Sequence, residues 1–287
     1  MHPYIIRFGH FGIPGYGLML GIGFLVALWF AGRILRRRPV PGASADVILD
    51  TATIAFLAGI AGGRLFYVFL NFRHYAENPL AVFKIWEGGL VLYGGVLLGL
   101  MVGVLLLRRR NIPVLPVLDR IAPPVAAALA FGRIGCFLNG CCYGVISHGW
   151  GVCFPKFMDV GPGGAREITG SPAFLDHLGR GLLGQEAVAS LPVLPTQLME
   201  AAFAAGLALF LHMRLSRSRR DGGTFAAFLG LYAAWRFCLE FARGDNPSCW
   251  GPLTFSQGIS LAVLAGVLAL VRHIGRRKGI INSAEAP

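Results

Sequence analysis

The sequence predicts an all-helical polytopic membrane protein with seven transmembrane helices, an external N-terminus and a cytoplasmic C-terminus. Composition is the first reason, because hydrophobic residues make up 55% of the 287 residues and charged residues only 14%. A soluble domain usually carries about 25% charged residues, so this composition excludes a soluble enzyme and a disordered chain. The second reason is that the net charge of +12 lies in short basic clusters between apolar stretches. Such clusters are typical of topology signals and of contact with anionic membrane lipid, and we expect no nucleic-acid partner.

Each predicted helix has the length of a membrane span. A transmembrane helix needs about 20 mostly apolar residues. Three segments carry no charge over such a length, and four are interrupted by charged residues. Together they predict a single transmembrane domain over residues 1–287, with spans at about 13–33, 46–71, 88–107, 116–137, 195–213, 223–241 and 255–272.

Basic residues set the predicted orientation of these spans. Clusters of arginine and lysine follow the first, third, fifth and seventh spans, within residues 33–38, 108–110, 214–220 and 272–278. The positive-inside rule places that side in the cytoplasm. The loop of residues 145–194 then lies outside. Turn signals such as Gly161–Gly164 predict a small extracytoplasmic subdomain there.

Polar side chains inside the spans predict a functional site, because charge within a membrane is costly and usually marks function. With the predicted topology, these side chains lie in the outer halves of their helices. They are Tyr16, Arg64, Tyr93, Arg133, Gln197, Glu200 and Arg236. The sequence therefore predicts one site beneath the outer surface of the membrane.

The spacing of Tyr232, Arg236, Glu240 and Arg243 places all four on one face of a helix. Glu240 lies between two arginines and can orient both guanidinium groups. Paired arginines suit a phosphate, because the planar guanidinium binds its oxygens through two parallel hydrogen bonds. A purely structural ladder of ion pairs is the alternative for these residues. For Arg64, the alternative to a role in the site is a structural contact between helices.

Two glycine-rich segments, residues 86–95 and 131–144, permit close approach of the backbone to a ligand or to another helix. Tyr93 lies between glycine pairs in the first segment, either as a catalytic phenol or as a residue of the interfacial aromatic belt. The chain has six cysteines and no CxxC pair. We therefore predict no metal and no cofactor, and we interpret the cysteines as packing residues. A disulfide among Cys141, Cys142 and Cys153 is left open.

At these motifs the chain resembles the prolipoprotein diacylglyceryl transferases of bacteria. The family pattern G-R-x-G-N-F-x-N-x-E-x-x-G is similar to residues 132–144, with Cys136 in place of the asparagine and Cys141 in place of the glutamate. The resemblance covers nearly the whole chain. Further matches follow in family order at Tyr16, Gly62–Arg64, Trp86–Gly95, Pro195–Glu200 and Tyr232–Arg243.

The resemblance implies transfer of the diacylglyceryl group of phosphatidylglycerol to the lipobox cysteine thiol of a prolipoprotein signal peptide, the first step of lipoprotein maturation. The implied products are a thioether-linked lipid and glycerol 1-phosphate. The implied location is the bacterial inner membrane, with the active site towards the extracytoplasmic leaflet. The implied catalytic residues are Arg133, Arg236, Tyr93 and Glu240. The residues implied to bind phosphatidylglycerol are Arg133, Tyr16, Asn139, Arg243, Arg64, Tyr232, Gln197 and Glu200.

Tyr93 departs from the family, which often has histidine at this position as the proposed base. A phenol has an ordinary pKa of about 10 and is a poor base at neutral pH. Either Tyr93 accepts the thiol proton, or it orients the lipid while another group accepts the proton. Two other functions stay open from the sequence: an anionic-solute transporter that uses the same arginines, and a paralogue that binds lipid without transferring it.

Overall fold

The computed structural model describes residues 4–8, 11–84, 89–160, 166–184, 186–217, 221–246, 248–251 and 253–284. Several features singled out in the sequence lie outside the described residues. These are Trp86–Gly88 of the first glycine-rich segment, the Gly161–Gly164 turn, the basic pair Arg219 and Arg220, and the side chains of Arg276, Arg277 and Lys278.

Long α-helices dominate the described part of the chain and match the predicted spans within a few residues at most ends. The helices are α1 Gly15–Arg37, α2 Ala45–Leu70, α3 Phe72–Glu77, α4 Leu92–Arg109, α5 Val114–Asn139, α6 Pro172–Gly179, α7 Thr196–Arg217, α8 Gly223–Glu240 and α9 Phe255–Ala284, with a short 3-10 helix at Pro79–Phe83.

Six of these helices are long and apolar enough to cross a membrane: α1, α2, α4, α5, α7 and α9. The chain is therefore a polytopic membrane protein. The predicted span at 223–241 forms as α8, which has 18 residues, but it is not among the six. Arg236 and Glu240 lower the mean hydropathy of α8, because they are charged residues in the otherwise apolar second half of this helix. A membrane crossing by α8 stays a prediction.

The predicted all-helical class is confirmed, and three short antiparallel hairpins lie outside the long helices of the described chain. They pair β1 Tyr4–Phe8 with β2 Phe11–Pro14, β3 Lys156–Val160 with β4 Arg166–Gly170, and β5 Ser248–Trp250 with β6 Leu253–Thr254. Strands of two to five residues are too short to show a clear alternating pattern in sequence.

Two compact units divide the chain, one of residues 30–120 and one of residues 1–29 with 121–287. In the unit of residues 30–120, glycines bring α2 and α4 into contact. A Cβ added at Gly62 would lie 2.5 Å from the carbonyl oxygen of Gly94, and one added at Gly94 would lie 2.6 Å from that of Gly62. Neither helix can carry a larger residue at this crossing without moving apart. The glycine pair after Tyr93 therefore has a packing role.

Two apolar cores lie among the described residues of the other unit. One lies among α5, α7 and α8, where Ala126 and Leu211 are fully buried beside Phe228. The second lies among the segments that follow α5 and precede α7. It is built from Tyr143, Phe154, Ala173 and Val193. The second core packs the start of α6 against the segments that follow α5 and precede α7.

Candidate active site

The end of α5 folds the chain back onto its own last turn. Gly140 has a φ of +74°, the left-handed conformation that commonly ends a helix. The Gly140 N–H donates to the Phe137 carbonyl, and the Cys141 N–H donates to the Cys136 carbonyl, each at 3.2 Å. These two bonds are the 5→2 and 6→1 pair of a Schellman motif. As a result, Cys141 lies directly over Cys136, five residues earlier.

Side chains at the start of α7 hold the next two residues. Thr196 Oγ1 donates to the Cys142 carbonyl and Gln197 Nε2 to the Cys141 carbonyl, both at 2.8 Å. Cys142 has a φ of +60°, which is uncommon for a residue other than glycine. These bonds to α7 offset the backbone strain and fix the direction of both cysteine side chains.

Gly144 ties this segment to the starts and ends of neighbouring helices. Its N–H donates to the Leu194 carbonyl at 2.9 Å, just before α7. Its backbone also pairs with Arg243, just after α8. A Cβ at Gly144 would lie 2.7 Å from the Leu194 and Ala242 carbonyl oxygens, so only glycine fits. This pairing brings Arg243 beside the cysteine segment.

Cys136, Cys141 and Cys142 form a cluster in which the three sulfur atoms lie within 4.8 Å of one another. Cys136 is buried, and the other two are partly buried. The sequence analysis missed this cluster, because separations of five and one residues match no common ligand spacing. The available signal was the asparagine–glycine pair at the end of α5, since a Schellman motif there brings residues 136 and 141 together.

Arg133 forms a buried ion pair with Glu200 of α7. Arg133 Nη2 lies 3.0 Å from Glu200 Oε1, with side-chain exposures of 17% and 2%. The Tyr232 hydroxyl donates to the same Glu200 oxygen at 2.8 Å and accepts from Arg133 Nη2 at 3.4 Å. Within the described part of the chain, both contacts of the guanidinium fall on Nη2. Glu200 and Tyr232 therefore orient Arg133 and leave Nε and Nη1 to meet a ligand.

Glu240 is the centre of a second assembly at the end of α8. Its Oε2 lies 2.6 Å from Arg236 Nη1 and 4.0 Å from Arg243 Nε. Its Oε1 accepts from Asn246 Nδ2 at 2.7 Å and from Thr254 Oγ1 at 2.6 Å. The Glu240 side chain is fully buried, and these four groups compensate its charge. The expected bridge between the two arginines is therefore present.

Further polar residues that the sequence analysis missed complete the second assembly. Asp245 accepts two hydrogen bonds from Arg243, at 2.8 Å from Nε and 2.6 Å from Nη2. Ser256 accepts from Arg236 Nη2 at 3.3 Å. They lie in the turn after α8 and at the start of α9, beyond the helical pattern that revealed Arg236 and Arg243.

The cysteine segment connects the two arginine assemblies. The guanidinium groups of Arg133 and Arg243 both lie within electrostatic reach of the Cys142 sulfur. Tyr16 interacts with Arg133 and with all three cysteines. It reaches them because Gly135 lets α1 approach α5, where an added Cβ would lie 3.3 Å from the Tyr16 Cα. Tyr16, Arg133, Glu200, Tyr232, Arg236, Glu240 and Arg243 therefore belong to one region of this unit.

Gln197 and Asn139 line the same cysteine segment. Gln197 is 1% exposed, and its Nε2 is committed to the Cys141 carbonyl. Its Oε1 has no hydrogen-bond partner among the described residues. A buried acceptor without a partner costs free energy, so this oxygen is suited to a hydroxyl donor from a ligand. Asn139 ends α5 within hydrogen-bonding reach of the Cys141 thiol.

Arg64 and Tyr93 belong to the other unit. Arg64 is buried and donates to the carbonyl oxygens of Ala81, Val82, Lys84 and Gly89. Its guanidinium also lies 5.8 Å from the Tyr67 ring centre and 5.4 Å from that of Tyr75. These contacts hold the loop between α3 and α4, and lipid binding by Arg64 stays a prediction. Tyr93 lies in the first turn of α4 and is 42% exposed.

Tyr143 connects the site to α6. Its hydroxyl donates to Asp176, and its ring packs edge-on against His177 at 5.6 Å. Burial and the bond to Asp176 raise the pKa of the Tyr143 phenol. Burial lowers the pKa of His177, whose Nδ1 accepts the Leu191 N–H at 3.2 Å. These contacts pack α6 against the segment that follows the cysteines.

Comparison with known proteins identifies the family of this chain. A family model described as prolipoprotein diacylglyceryl transferase matches residues 3–272. The chain belongs to the prolipoprotein diacylglyceryl transferase family. The resemblance noted in the sequence is confirmed, and the chain is placed among the transferases of lipoprotein biosynthesis.

Relatives of similar length are named for this activity. The phosphatidylglycerol–prolipoprotein diacylglyceryl transferase 2 of Clostridium perfringens is 30% identical over 274 residues, which cover 95% of either chain. The phosphatidylglycerol–prolipoprotein diacylglyceryl transferase of Clostridium tetani is 31% identical. The match covers 93% of this chain and 96% of the relative. The Geobacter sulfurreducens transferase is 30% identical over 96% of either chain. The diacylglyceryl transferase family thus spans nearly the whole of this chain.

Proposed function

We propose that this protein transfers the diacylglyceryl group of phosphatidylglycerol to the lipobox cysteine thiol of prolipoproteins and releases glycerol 1-phosphate. The observation that carries the proposal is the convergence of Arg133 and Arg243 on the segment around Cys142, each guanidinium oriented by a carboxylate. An anionic phosphodiester is the substrate that such a pair recognises. The names of the relatives supply the identity of lipid and acceptor.

The reaction is a displacement at the glycerol C3 carbon. The sulfur of the acceptor thiolate forms a bond to this carbon, the carbon–oxygen bond breaks, and its electron pair leaves with the phosphate. Negative charge therefore grows on the phosphate oxygens in the transition state. Donors held in place beforehand at that position lower the barrier, because they need no reorganisation as the charge develops.

Arg133 is the proposed donor to the leaving phosphate. Its ion pair with Glu200 fixes the guanidinium plane and occupies only Nη2 among the described contacts, so Nε and Nη1 keep N–H donors for the phosphate. Tyr232 and Glu200 are then positioning residues. The same logic gives Arg236 a guanidinium oriented by Glu240 and Ser256.

Glu240 acts as a positioning residue rather than as the base in this proposal. Its carboxylate is fully buried, accepts hydrogen bonds from Asn246 and Thr254, and forms ion pairs with Arg236 and Arg243. These contacts favour the charged form and leave little room for a proton from the acceptor thiol. The neighbouring Arg243 would attract the anionic lipid. Its bidentate bond to Asp245 holds the guanidinium beside the cysteine segment.

Neutral groups are proposed to hold the glycerol headgroup. Gln197 Oε1 is the acceptor best suited to a headgroup hydroxyl, because it is buried and lacks a partner in the described structure. Asn139 and Tyr16 flank the same segment. Tyr93 either accepts the thiol proton or orients the lipid, and Arg64 is proposed to hold the loop before α4.

The proposed location is the inner membrane, with α8 as a seventh span and the site under the extracytoplasmic surface. The basic ends of α1, α4 and α7 support this orientation, since all follow odd-numbered spans. A transporter for an anionic solute is not favoured, because relatives along the whole chain are named as transferases.

The experiment that tests the proposal uses purified protein, phosphatidylglycerol and a synthetic lipobox peptide. Mass spectrometry should find a peptide heavier by one diacylglyceryl group, and the same peptide with serine in place of cysteine should stay unmodified. An unmodified cysteine peptide, with phosphatidylglycerol still bound by the protein, would identify a lipid-binding paralogue instead.

A further inference from the structure

The three clustered thiols of Cys136, Cys141 and Cys142 have no role in the reaction as derived so far. Their sulfur atoms lie within 4.8 Å of one another. A tetrahedral zinc ion with bonds of about 2.3 Å separates its sulfur ligands by about 3.8 Å. The sulfur separations therefore exceed those of three zinc ligands by at most about 1 Å.

The backbone around the cluster is fixed independently of the sulfur atoms. The Schellman motif at Gly140 sets the position of Cys141 relative to Cys136. Hydrogen bonds from Thr196 and Gln197 set the Cys141 and Cys142 carbonyls. Metal sites need ligands held in this way, because an ion binds weakly when it must first order its own ligands.

The surrounding charge suits three thiolates. Three thiolates and one divalent cation carry a net charge of −1, and the guanidinium groups of Arg133 and Arg243 lie within reach of Cys142. Soft thiolate ligands select zinc and similar thiophilic ions over magnesium or calcium.

We propose that Cys136, Cys141 and Cys142 bind Zn²⁺ and that its fourth position takes the sulfur of the acceptor cysteine. The first part concerns this chain alone, and the second rests on the proposed function. Three protein ligands with one open position is the arrangement of catalytic zinc, whereas structural zinc usually has four protein ligands.

The zinc ion would supply the deprotonation step, for which this chain has Tyr93 where the family often has histidine. A thiol that binds zinc loses its proton, which passes to water. The zinc-bound sulfur attacks the glycerol C3 carbon, the carbon–oxygen bond breaks, and the electron pair leaves with the phosphate. The thioether product is a much weaker ligand than a thiolate, so the lipidated peptide leaves the ion. Tyr93 is then free of any need to act as the base.

Metal binding is tested on purified protein that has been reduced and stripped with a chelator. We expect it to bind one equivalent of Zn²⁺ by elemental analysis, and Co²⁺ to give the intense sulfur-to-metal absorption of a thiolate site. The Cys136→Ser, Cys141→Ser and Cys142→Ser variants should each lose this absorption. The matched control is Cys153→Ser, because Cys153 is an exposed cysteine outside the cluster. Equal Zn²⁺ binding by the wild type and the three variants would overturn the site.

The acceptor position is tested separately with the Co²⁺-loaded protein. A lipobox peptide should strengthen the thiolate absorption by adding a fourth sulfur, and the serine peptide should not. Stripping the metal should slow diacylglyceryl transfer at least ~10²-fold, the effect of losing a proton-transfer catalyst, and Zn²⁺ should restore it. Full transfer by the stripped protein would overturn the zinc role and leave the proposed function intact. Metal and peptide binding without transfer would overturn the proposed function and leave the site.

Discussion

At the residue scale, the two arginine assemblies differ in the carboxylate that orients each guanidinium and in the N–H donors that remain for the substrate. Arg133 is oriented by Glu200 through one nitrogen. Arg236 and Arg243 share the buried Glu240. The planar fork of each guanidinium, rather than charge alone, is what the account assigns to phosphate recognition.

Replacing Arg133 by lysine tests the fork directly. Lysine keeps the charge beside Glu200 but loses the planar guanidinium and its separate Nε and Nη1 donors, so we expect a loss of about 10²–10³-fold in the rate constant of transfer. The matched control is Arg180→Lys, which changes an exposed arginine paired with Asp176 on α6. Near-normal transfer by Arg133→Lys, with the protein inserted in membranes, would remove phosphate recognition from Arg133.

Variants of Tyr93 distinguish a phenolic base from the zinc site as the group that removes the thiol proton. With zinc holding the acceptor sulfur, Tyr93→Phe keeps the ring and should retain the transfer rate within a few-fold. A phenolic base predicts a loss of at least ~10²-fold for Tyr93→Phe, with partial activity in Tyr93→His. The initial rates of both variants are compared at one pH. The second pattern would assign the thiol proton to Tyr93.

At the element scale, local sequence patterns predicted the long helices. The features that the sequence did not predict lie in the turns between those helices. The pattern of Tyr232, Arg236, Glu240 and Arg243 lies on one helix, so its spacing was readable. The contacts of Glu240 with Asn246 and Thr254 join residues across a turn. The thiol cluster depends on a left-handed residue at Gly140 and on bonds from α7, and neither has a periodic signal.

Gly140→Ala tests the element that assembles the cluster. A Cβ there would lie 2.7 Å from the Ser171 Cβ at a φ of +74°, so clash and backbone strain add. We expect a loss of at least about 1 kcal/mol in the free energy of unfolding and weaker Zn²⁺ binding. Gly206→Ala on α7 is the control, since its added Cβ meets no described atom within 4 Å. Equal thermal stability of the two variants would argue against the Schellman motif as the organising element.

The packing of α6 depends on pH through His177. Its folded pKa is lowered by burial, so below about pH 6.5, the ordinary value, the unfolded state binds a proton that the folded state does not. Stability of this region should therefore fall as pH drops below that value. Hydrogen exchange of residues 172–179 at pH 7.5 and at pH 5.5 measures the effect, and His177→Gln removes it. The same pH dependence in His177→Gln would assign it to another group.

At the scale of the whole molecule, the membrane crossing by α8 determines on which side the second arginine assembly lies. Six helices are apolar enough to span by themselves, and α8 carries Arg236 and Glu240 in its second half. Composition predicts the membrane class and the approximate helix ends. It cannot establish this crossing, because charges paired inside the protein lower hydropathy as much as charges in water do.

Reporter insertions test the topology. A reporter after Arg110 or Arg220 should be cytoplasmic, and one near Gly163 or at the exposed Gly251 turn should be extracytoplasmic. The Gly251 position is informative because it follows α8, so its side reverses if α8 does not cross. A cytoplasmic reporter at Gly251, with the reporters at Arg110, Arg220 and Gly163 as expected, would mean that α8 does not cross the membrane. The protein would then have six spans, and the second arginine assembly would lie on the cytoplasmic side.

The central claim is that the acceptor sulfur displaces an arginine-bound phosphate at carbon. Phosphatidylglycerol labelled with ¹⁸O in the bridge between the diacylglyceryl carbon and phosphorus tests this most directly. After incubation with the protein and the cysteine lipobox peptide, mass spectrometry should find all the label in glycerol 1-phosphate and an unlabelled thioether on the peptide. Label retained with the diacylglyceryl group, or no adduct at all, would contradict the account.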